Sequence, residues 1–181
     1  TGQITPEEIK SLGLHRVTRV QPEATTVVDL TRSSDEIIAA MAPNNRNLHR
    51  TYAQKGLVVH TSHDPKDIAI ITTLMHDVAA KTGMRPHADS YLTLQANTLL
   101  PTGDALIYYV TYQGKPVVGA LIYDDDMTRY YRHVAADYPH RKLSPGTIIV
   151  SQMILDAKAK ALKYFDLYGI WPDAQPGSSQ A

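Results

Sequence analysis

A chain of 181 residues with 43% hydrophobic and 20% charged side chains has the composition of an ordinary globular protein and can bury one sizeable core. Its basic and acidic side chains cancel to a formal charge of zero, so whole-molecule attraction to nucleic acid or to an anionic membrane is not indicated, though a local basic patch remains open. The absence of cysteine removes disulfides, thiolate nucleophiles and cysteine-based metal sites and fits a cytoplasmic location. No run of about 18 apolar residues could form a transmembrane helix, and Thr1-Gly-Gln-Ile-Thr-Pro6 does not read as a signal peptide.

In chain order, Thr5-Pro6-Glu7-Glu8 predicts a short helix stopped by Gly13. Residues 17–30 read as extended, with a strand candidate over Thr25–Leu30, either an edge strand or the tail of something preceding it. Ser33 and Glu36 have the spacing of a capping box. They open a helix whose apolar face is Ile37, Ile38 and Met41, and Pro43 ends it. A basic helix follows from Asn44 to Lys55, closed by Gly56. Leu57–Thr61 is a strand, and Asp64-Pro65 starts a helix to about Thr82 with apolar residues at helical spacing, Ile68, Ile71, Leu74, Met75 and Val78. After Arg85-Pro86-His87 a further helix covers about Asp89–Leu99. The polar end, Pro176–Ala181, is expected to fray.

The most structured stretch runs from Ala105 to Ile170. Two β-rich runs flank Gly114 and predict an antiparallel hairpin over Ala105–Tyr123. A third run, Thr128–Ala135, follows Asp124-Asp-Asp126. A loop with Pro139 and Pro145 leads into an amphipathic helix over about Gly146–Leu162, expected to bury Ile148, Ile149, Met153 or Ile154, and Ala157. A short run, Tyr164–Tyr168, closes the stretch. The order β-β-β-loop-α-β predicts an α+β layered domain in which one strand–helix–strand crossover follows the hairpins, with a cleft where strands splay around the loop before the helix.

Several stretches carry a family resemblance in order: Gln21-Pro-Glu-Ala-Thr-Thr-Val-Val-Asp-Leu30 with Asp35-Glu36; Arg46-Asn-Leu-His-Arg50 through Gln54-Lys-Gly-Leu57; Thr82-Gly-Met-Arg-Pro-His87 with Tyr91; Tyr131-Arg-His-Val-Ala135; and Phe165-Asp-Leu-Tyr-Gly-Ile170. Over about residues 17–173 the chain resembles the FemABX aminoacyltransferases, which add amino acids to peptidoglycan precursors from aminoacyl-tRNA. The resemblance implies a GNAT-like acyltransferase fold with a mixed, mostly antiparallel sheet flanked by helices. It covers the second of the family's two GNAT-like domains, at residues 33–181, with residues 1–32 as a remnant or linker strand of a preceding domain. It further implies a cytoplasmic transferase of cell-wall synthesis, with aminoacyl-tRNA and a nucleotide- or lipid-linked muropeptide as partners and no bound cofactor. The family's first domain and its Phe-Lys element are not matched, so the expectation is that residues 1–181 alone transfer slowly or not at all.

Aminoacyl transfer moves an ester carbonyl onto an amine. It needs positioning and oxyanion stabilisation rather than a serine or cysteine nucleophile, and the sequence names no catalytic residue. Arginine and tyrosine donors suit the anions of a wall precursor. Arg85, His87 and Tyr91, at a loop-to-helix junction, are the candidate substrate-binding residues, with Tyr131 expected to line the same cleft; the competing reading makes Arg85 a solvated charge and the tyrosines packing residues. Arg46, Arg50 and Lys55 are the candidate tRNA contacts, against the reading of a solvated helix face.

Two further functions compete: coenzyme A-dependent N-acetyl transfer, and a non-catalytic domain that binds precursor or tRNA. Before the Gly146 helix, Arg141-Lys-Leu-Ser-Pro-Gly146 has a proline and one glycine where a coenzyme A-binding GNAT protein has Gln/Arg-x-x-Gly-x-Gly/Ala. No metal site is expected. His60 and His63 do not suffice, and Asp124-Asp-Asp126 cannot all converge from extended backbone, so these aspartates read as turn residues. Asp166 reads as a residue that fixes its neighbouring backbone.

Overall fold

The computed structural model describes residues 5, 10–13 and 24–169. Thr26–Tyr168 form one compact unit. The other unit, formed by residues 1–25 and 169–181, holds most of the expected first helix, the extended run before Ala24 and Trp171, which therefore lie largely or wholly outside the described residues.

The strand expected near residue 25 is β1, Val27–Asp29. Helix α1, Ser34–Ala40, has the predicted capping box, with Ser33 accepting from the Glu36 N–H and Glu36 accepting from the Ser33 N–H. Pro43 does more than end α1: it is the first residue of α2, Pro43–Thr51, where its missing N–H has no partner to lose. A 3-10 turn, Tyr52–Lys55, and left-handed Gly56 then feed β2, Leu57–Ser62. Helix α3 is Ile68–Thr82 and α4 is Asp89–Leu99. Strands β3, Ala105–Tyr112, and β4, Lys115–Asp124, form the hairpin. Gln113 and Gly114 both have positive φ, as a two-residue hairpin turn with the twist of its strands requires. Strand β5 is Thr128–Ala136, α5 is Pro145–Ala159 and β6 is Tyr164–Asp166.

The six strands lie in the order β1-β6-β5-β4-β3-β2. All pairings are antiparallel except β5 with β6, which the crossover through α5 makes parallel. Each face of the sheet has its own core. On one, Val118, Ala120 and Ile122 pack with Ile148, Ile149, Met153 and Ile154 of α5 and with Ile37 and Leu48 of the first two helices. On the other, Ile107 and Leu121 pack with Ile71, Leu74 and Met75 of α3 and Leu92 and Ala96 of α4. The predicted buried positions of α5, Ile148, Ile149, Met153, Ile154 and Ala157, are all in the core.

Two departures from regular pairing shape the middle of the sheet. The β4–β5 register shifts between Ile122, opposite Tyr131, and Leu121, opposite His133, leaving Arg132 as the extra residue of a bulge. Regular alternation would put Arg129, Tyr131 and His133 on one face; the bulge sends His133 to the other. The second departure is the shortness of β6. On its β5 side it pairs only with Thr128, Arg129 and Tyr130, so from Tyr131 onward β5 is paired with β4 alone among the described residues. This is the splay expected from the sequence.

A buried charge locks this region. Arg129 is 2% exposed. It donates from Nε and a terminal nitrogen to both carboxylate oxygens of Asp124 at 2.8 Å, and from its other terminal nitrogen to Tyr108 at 2.8 Å and the Met153 carbonyl at 3.1 Å. Tyr108 in turn donates to Asp156. Burial alone would raise the Asp124 pKa, but hydrogen bonds and charge from Arg129 and Lys160 outweigh it and hold the carboxyl below its ordinary value. Asp124 is thus a core ion-pair partner rather than a turn residue. Asp125 is the turn residue: it accepts from the N–H groups of Met127 and Thr128 and from the Tyr130 hydroxyl.

Candidate functional site

Around the splay, the two faces of β5 present different surroundings. On the α5 face, Tyr131 lines a cavity of about 410 Å³ with Met41, Asn45, Gly146, Thr147 and Val150. Its ring packs on Phe165 at 6.4 Å between centroids, and burial pushes its hydroxyl pKa well above the ordinary value. The cavity is mostly apolar, with the start of α5 at its rim, and would hold a small acyl or aminoacyl group.

The opposite face carries a cluster of rings. His133 is 4% exposed and is met edgewise by His87, Tyr91 and Tyr123 at centroid distances of 5.0, 6.1 and 6.0 Å. Gln95 ties two of these together: it accepts from the Tyr123 hydroxyl at 2.8 Å and donates to the Tyr91 hydroxyl at 2.9 Å. His133 Nε2 is buried and has no hydrogen-bond partner, a state that costs about 1–3 kcal/mol. Burial first, then the charges of Arg132 and His87, lower the His133 pKa to about 4, so the ring is neutral near pH 7. Arg132 lies over the Tyr168 ring at 4.1 Å.

The candidate residues are therefore distributed as follows. His87 and Tyr91 stand together, their rings 5.3 Å apart, and Arg85 is exposed on the same segment ahead of α4. Tyr131 does not share their cleft. It packs with the α5-face core, whereas His87 and Tyr91 meet His133 on the α3/α4 face, so the expectation of one common cleft is corrected. Tyr131 follows the alternation of β5 onto the α5 face with Ile122, and the bulge after it, which sequence periodicity does not reveal, is what put His133 rather than Tyr131 beside His87 and Tyr91. Of the basic set, Arg46 turns to the Ala39 and Met41 carbonyls and thereby closes the end of α1; Arg50 and Lys55 are exposed. Among the described residues no group of three or more His, Asp or Glu side chains could hold a metal ion, and no helix is long and apolar enough to cross a membrane. Asp166 accepts from the Tyr168 N–H at 2.7 Å.

The entry to α5 bears on coenzyme A. A pyrophosphate cradle needs several free N–H groups at a helix start. Here the N–H groups of Arg141, Leu143, Ser144 and Thr147 donate to the carbonyls of Tyr138, His140, Arg141 and Ser144, and that of His140 donates to Asp137. Pro145 has none. The N–H groups of Lys142 and Gly146 are not among those engaged, so the loop offers a pyrophosphate few free donors rather than a full cradle.

Among solved structures, FemX matches with a TM-score of 0.76 at 16% identity over 96% of this chain and 61% of its own; the chain thus spans about three fifths of FemX. The C-terminal domain of a putative lysylphosphatidylglycerol synthetase from Agrobacterium fabrum matches with a TM-score of 0.60 at 12% identity, over 81% of this chain and 46% of its own. A predicted acetyltransferase with acetyl-CoA from Clostridium acetobutylicum reaches 0.50 at 16% identity, over 60% of this chain and 78% of its own. Comparison with curated proteins gives no match. The acetyltransferase (GNAT) domain family matches residues 43–175, and with the six-stranded sheet splayed beside β5 this establishes that the chain belongs to the GNAT acetyltransferase domain family, in a FemX-like form of the fold.

Proposed function

We propose that this GNAT domain transfers an aminoacyl group from aminoacyl-tRNA to the amine of a peptidoglycan precursor, in the cytoplasm where charged tRNA is found. The observation that carries this reading is the entry to α5, where Pro145 lacks an N–H and those of His140, Arg141, Leu143, Ser144 and Thr147 are engaged locally, which leaves the usual GNAT donor a poor pyrophosphate cradle. The likeness to FemX along 96% of the chain, against 60% for the structure with acetyl-CoA, supports the same choice. In this reading the cavity beside Tyr131 takes the aminoacyl end. Arg85, His87 and Tyr91 meet the precursor, with Arg85 and the uncapped start of α4 offering donors to its anionic groups. Arg50 and Lys55, with Arg46 behind them, face the tRNA backbone. Residues 33–181 would work beside a second GNAT-like domain, as in the resembled family, so the rate of this chain alone is expected to be low.

The test supplies tRNA charged with labelled amino acids together with a UDP-linked muropeptide and follows the label. Labelled precursor above the protein-free control is the expected result. Acetyl transfer from acetyl-CoA to an amine, with no label moved from tRNA, would overturn the reading.

A further inference from the structure

The cluster on the α3/α4 face has the chemistry of an amine site. We propose that His133, His87, Tyr91 and Tyr123 form the subsite for the acceptor's primary amine, with His133 Nε2 accepting a hydrogen bond from the amine N–H. The reaction served rests on the aminoacyl-transfer reading; the subsite itself rests on the geometry of the cluster.

Three observations converge on it. First, the bulge at Arg132 spends a residue of regular pairing to turn an imidazole away from the α5-side core into the opposite face, and bulges beside reacting centres commonly re-aim a side chain in this way. Second, the imidazole nitrogen so placed is the buried side-chain polar atom without a partner among the described residues. A neutral imidazole in the appropriate tautomer offers one lone pair there, and an amine N–H is its natural complement. Third, the groups that face His133 are Arg132 on its own strand, His87 ahead of α4, Tyr91 on α4 and Tyr123 on β4. None is a carboxylate, and Asp89 in the first turn of α4 is tied to His76 at 2.9 Å.

The ring collar suits the methylene stem that carries an amine, and its π faces and the lone pair repel an anion. The surroundings that keep His133 neutral, burial and the Arg132 charge, also favour the neutral, nucleophilic form of an amine. The exposed His87 ring, on the irregular segment between α3 and α4, and the exposed Tyr91 ring are the solvent-facing members of the cluster, so an amine would enter past them. Tyr131, at the opposite cavity, is two residues from His133 on the same strand but on the other face of the sheet, so an acyl group held beside Tyr131 would have to reach the amine around the edge of β5 that is unpaired among the described residues.

Atoms balance without a co-reactant. The ammonium releases one proton to solvent on entry. The amine nitrogen bonds the ester carbonyl carbon, the ester C–O bond breaks, and a second proton passes from nitrogen to the departing ribose oxygen. His133 orients the amine through these steps and keeps no proton.

Two measurements decide the matter. In the first, protein with ¹⁵N-labelled histidine is titrated with N-acetyl-lysine methylamide and, separately, with the same compound acetylated on its side-chain amine. The His133 Nε2 resonance is expected to move with the free amine only; an equal response to both compounds, or none, overturns the proposal. In the second, His133→Phe is compared with the unaltered protein for binding the UDP-linked muropeptide. At least a tenfold loss is expected with an undiminished melting temperature, because phenylalanine keeps the ring and removes the orphaned nitrogen; unchanged affinity overturns the proposal. An amine-specific shift without any muropeptide binding would instead leave the subsite standing and reject the wall precursor as its substrate.

Discussion

At the scale of single residues, the two buried ionisable side chains of β5 behave in opposite ways. Arg129 stays charged because five contacts to Asp124, Tyr108 and Met153 replace its water. Deleting it leaves the buried Asp124 carboxylate with the half-exposed Lys160 as its ion-pair partner, so Arg129→Ala is expected to destabilise the fold by about 3 kcal/mol; a urea midpoint shift equivalent to less than about 1 kcal/mol would show that the network is not sealed from solvent. His133 instead stays neutral. Its pKa falls from 6.5 to about 4, so as pH drops below 6.5 the unfolded chain takes up a proton before the native state does. This group therefore lowers stability from pH 6.5 downward and levels off below about 4, by roughly 3 kcal/mol in all; above pH 7 it contributes no slope. Urea midpoints at pH 7.5 and 4.5 for the unaltered protein and His133→Phe should differ in their change with pH. Parallel changes would mean that the imidazole titrates in the native state as it does in water.

At the scale of elements, the close fit of β4 to α3 depends on Gly119. A Cβ there would lie 3.1 Å from Ile71 Cγ1 and 3.5 Å from both Ile70 Cγ2 and Leu74 Cδ1. Gly119→Ala requires the Ile71 side chain to give by a few tenths of an ångström; in this packed layer it is expected to cost about 1 kcal/mol, read as a lower melting temperature, and an unchanged value would show that Ile71 yields freely. The elements were largely legible because each announces itself locally. Gly114 marks the hairpin turn, Ser33 and Glu36 mark the start of α1, and the spacing of Ile68, Ile71, Leu74 and Met75 marks α3. The site was half legible. His87 and Tyr91 share a helix entry that sequence alone could propose. The β5 bulge, the separation of Tyr131 from them and the placement of His133 were not legible, because bulge formation depends on pairing with β4, a tertiary event without a local signal. The inward turn of Arg46 is of the same kind: its charge was visible, but its carbonyl partners at the end of α1 come from seven and five residues earlier in the chain.

At the scale of the molecule, the sheet separates an apolar cavity on the α5 face from a ring cluster on the α3/α4 face, and Tyr131 and His133 of β5 belong one to each. In this protein Pro145 and the hydrogen bonding of the loop before it withdraw most of the donors a pyrophosphate would use, and this is the ground for preferring a tRNA-borne acyl group. The most direct measurement is a calorimetric titration of the protein with acetyl-CoA beside one with an acceptor-stem RNA bearing a non-hydrolysable aminoacyl end. Binding of the aminoacylated RNA in the micromolar range, with no heat from acetyl-CoA at the same concentrations, is the predicted result; micromolar binding of acetyl-CoA would contradict it.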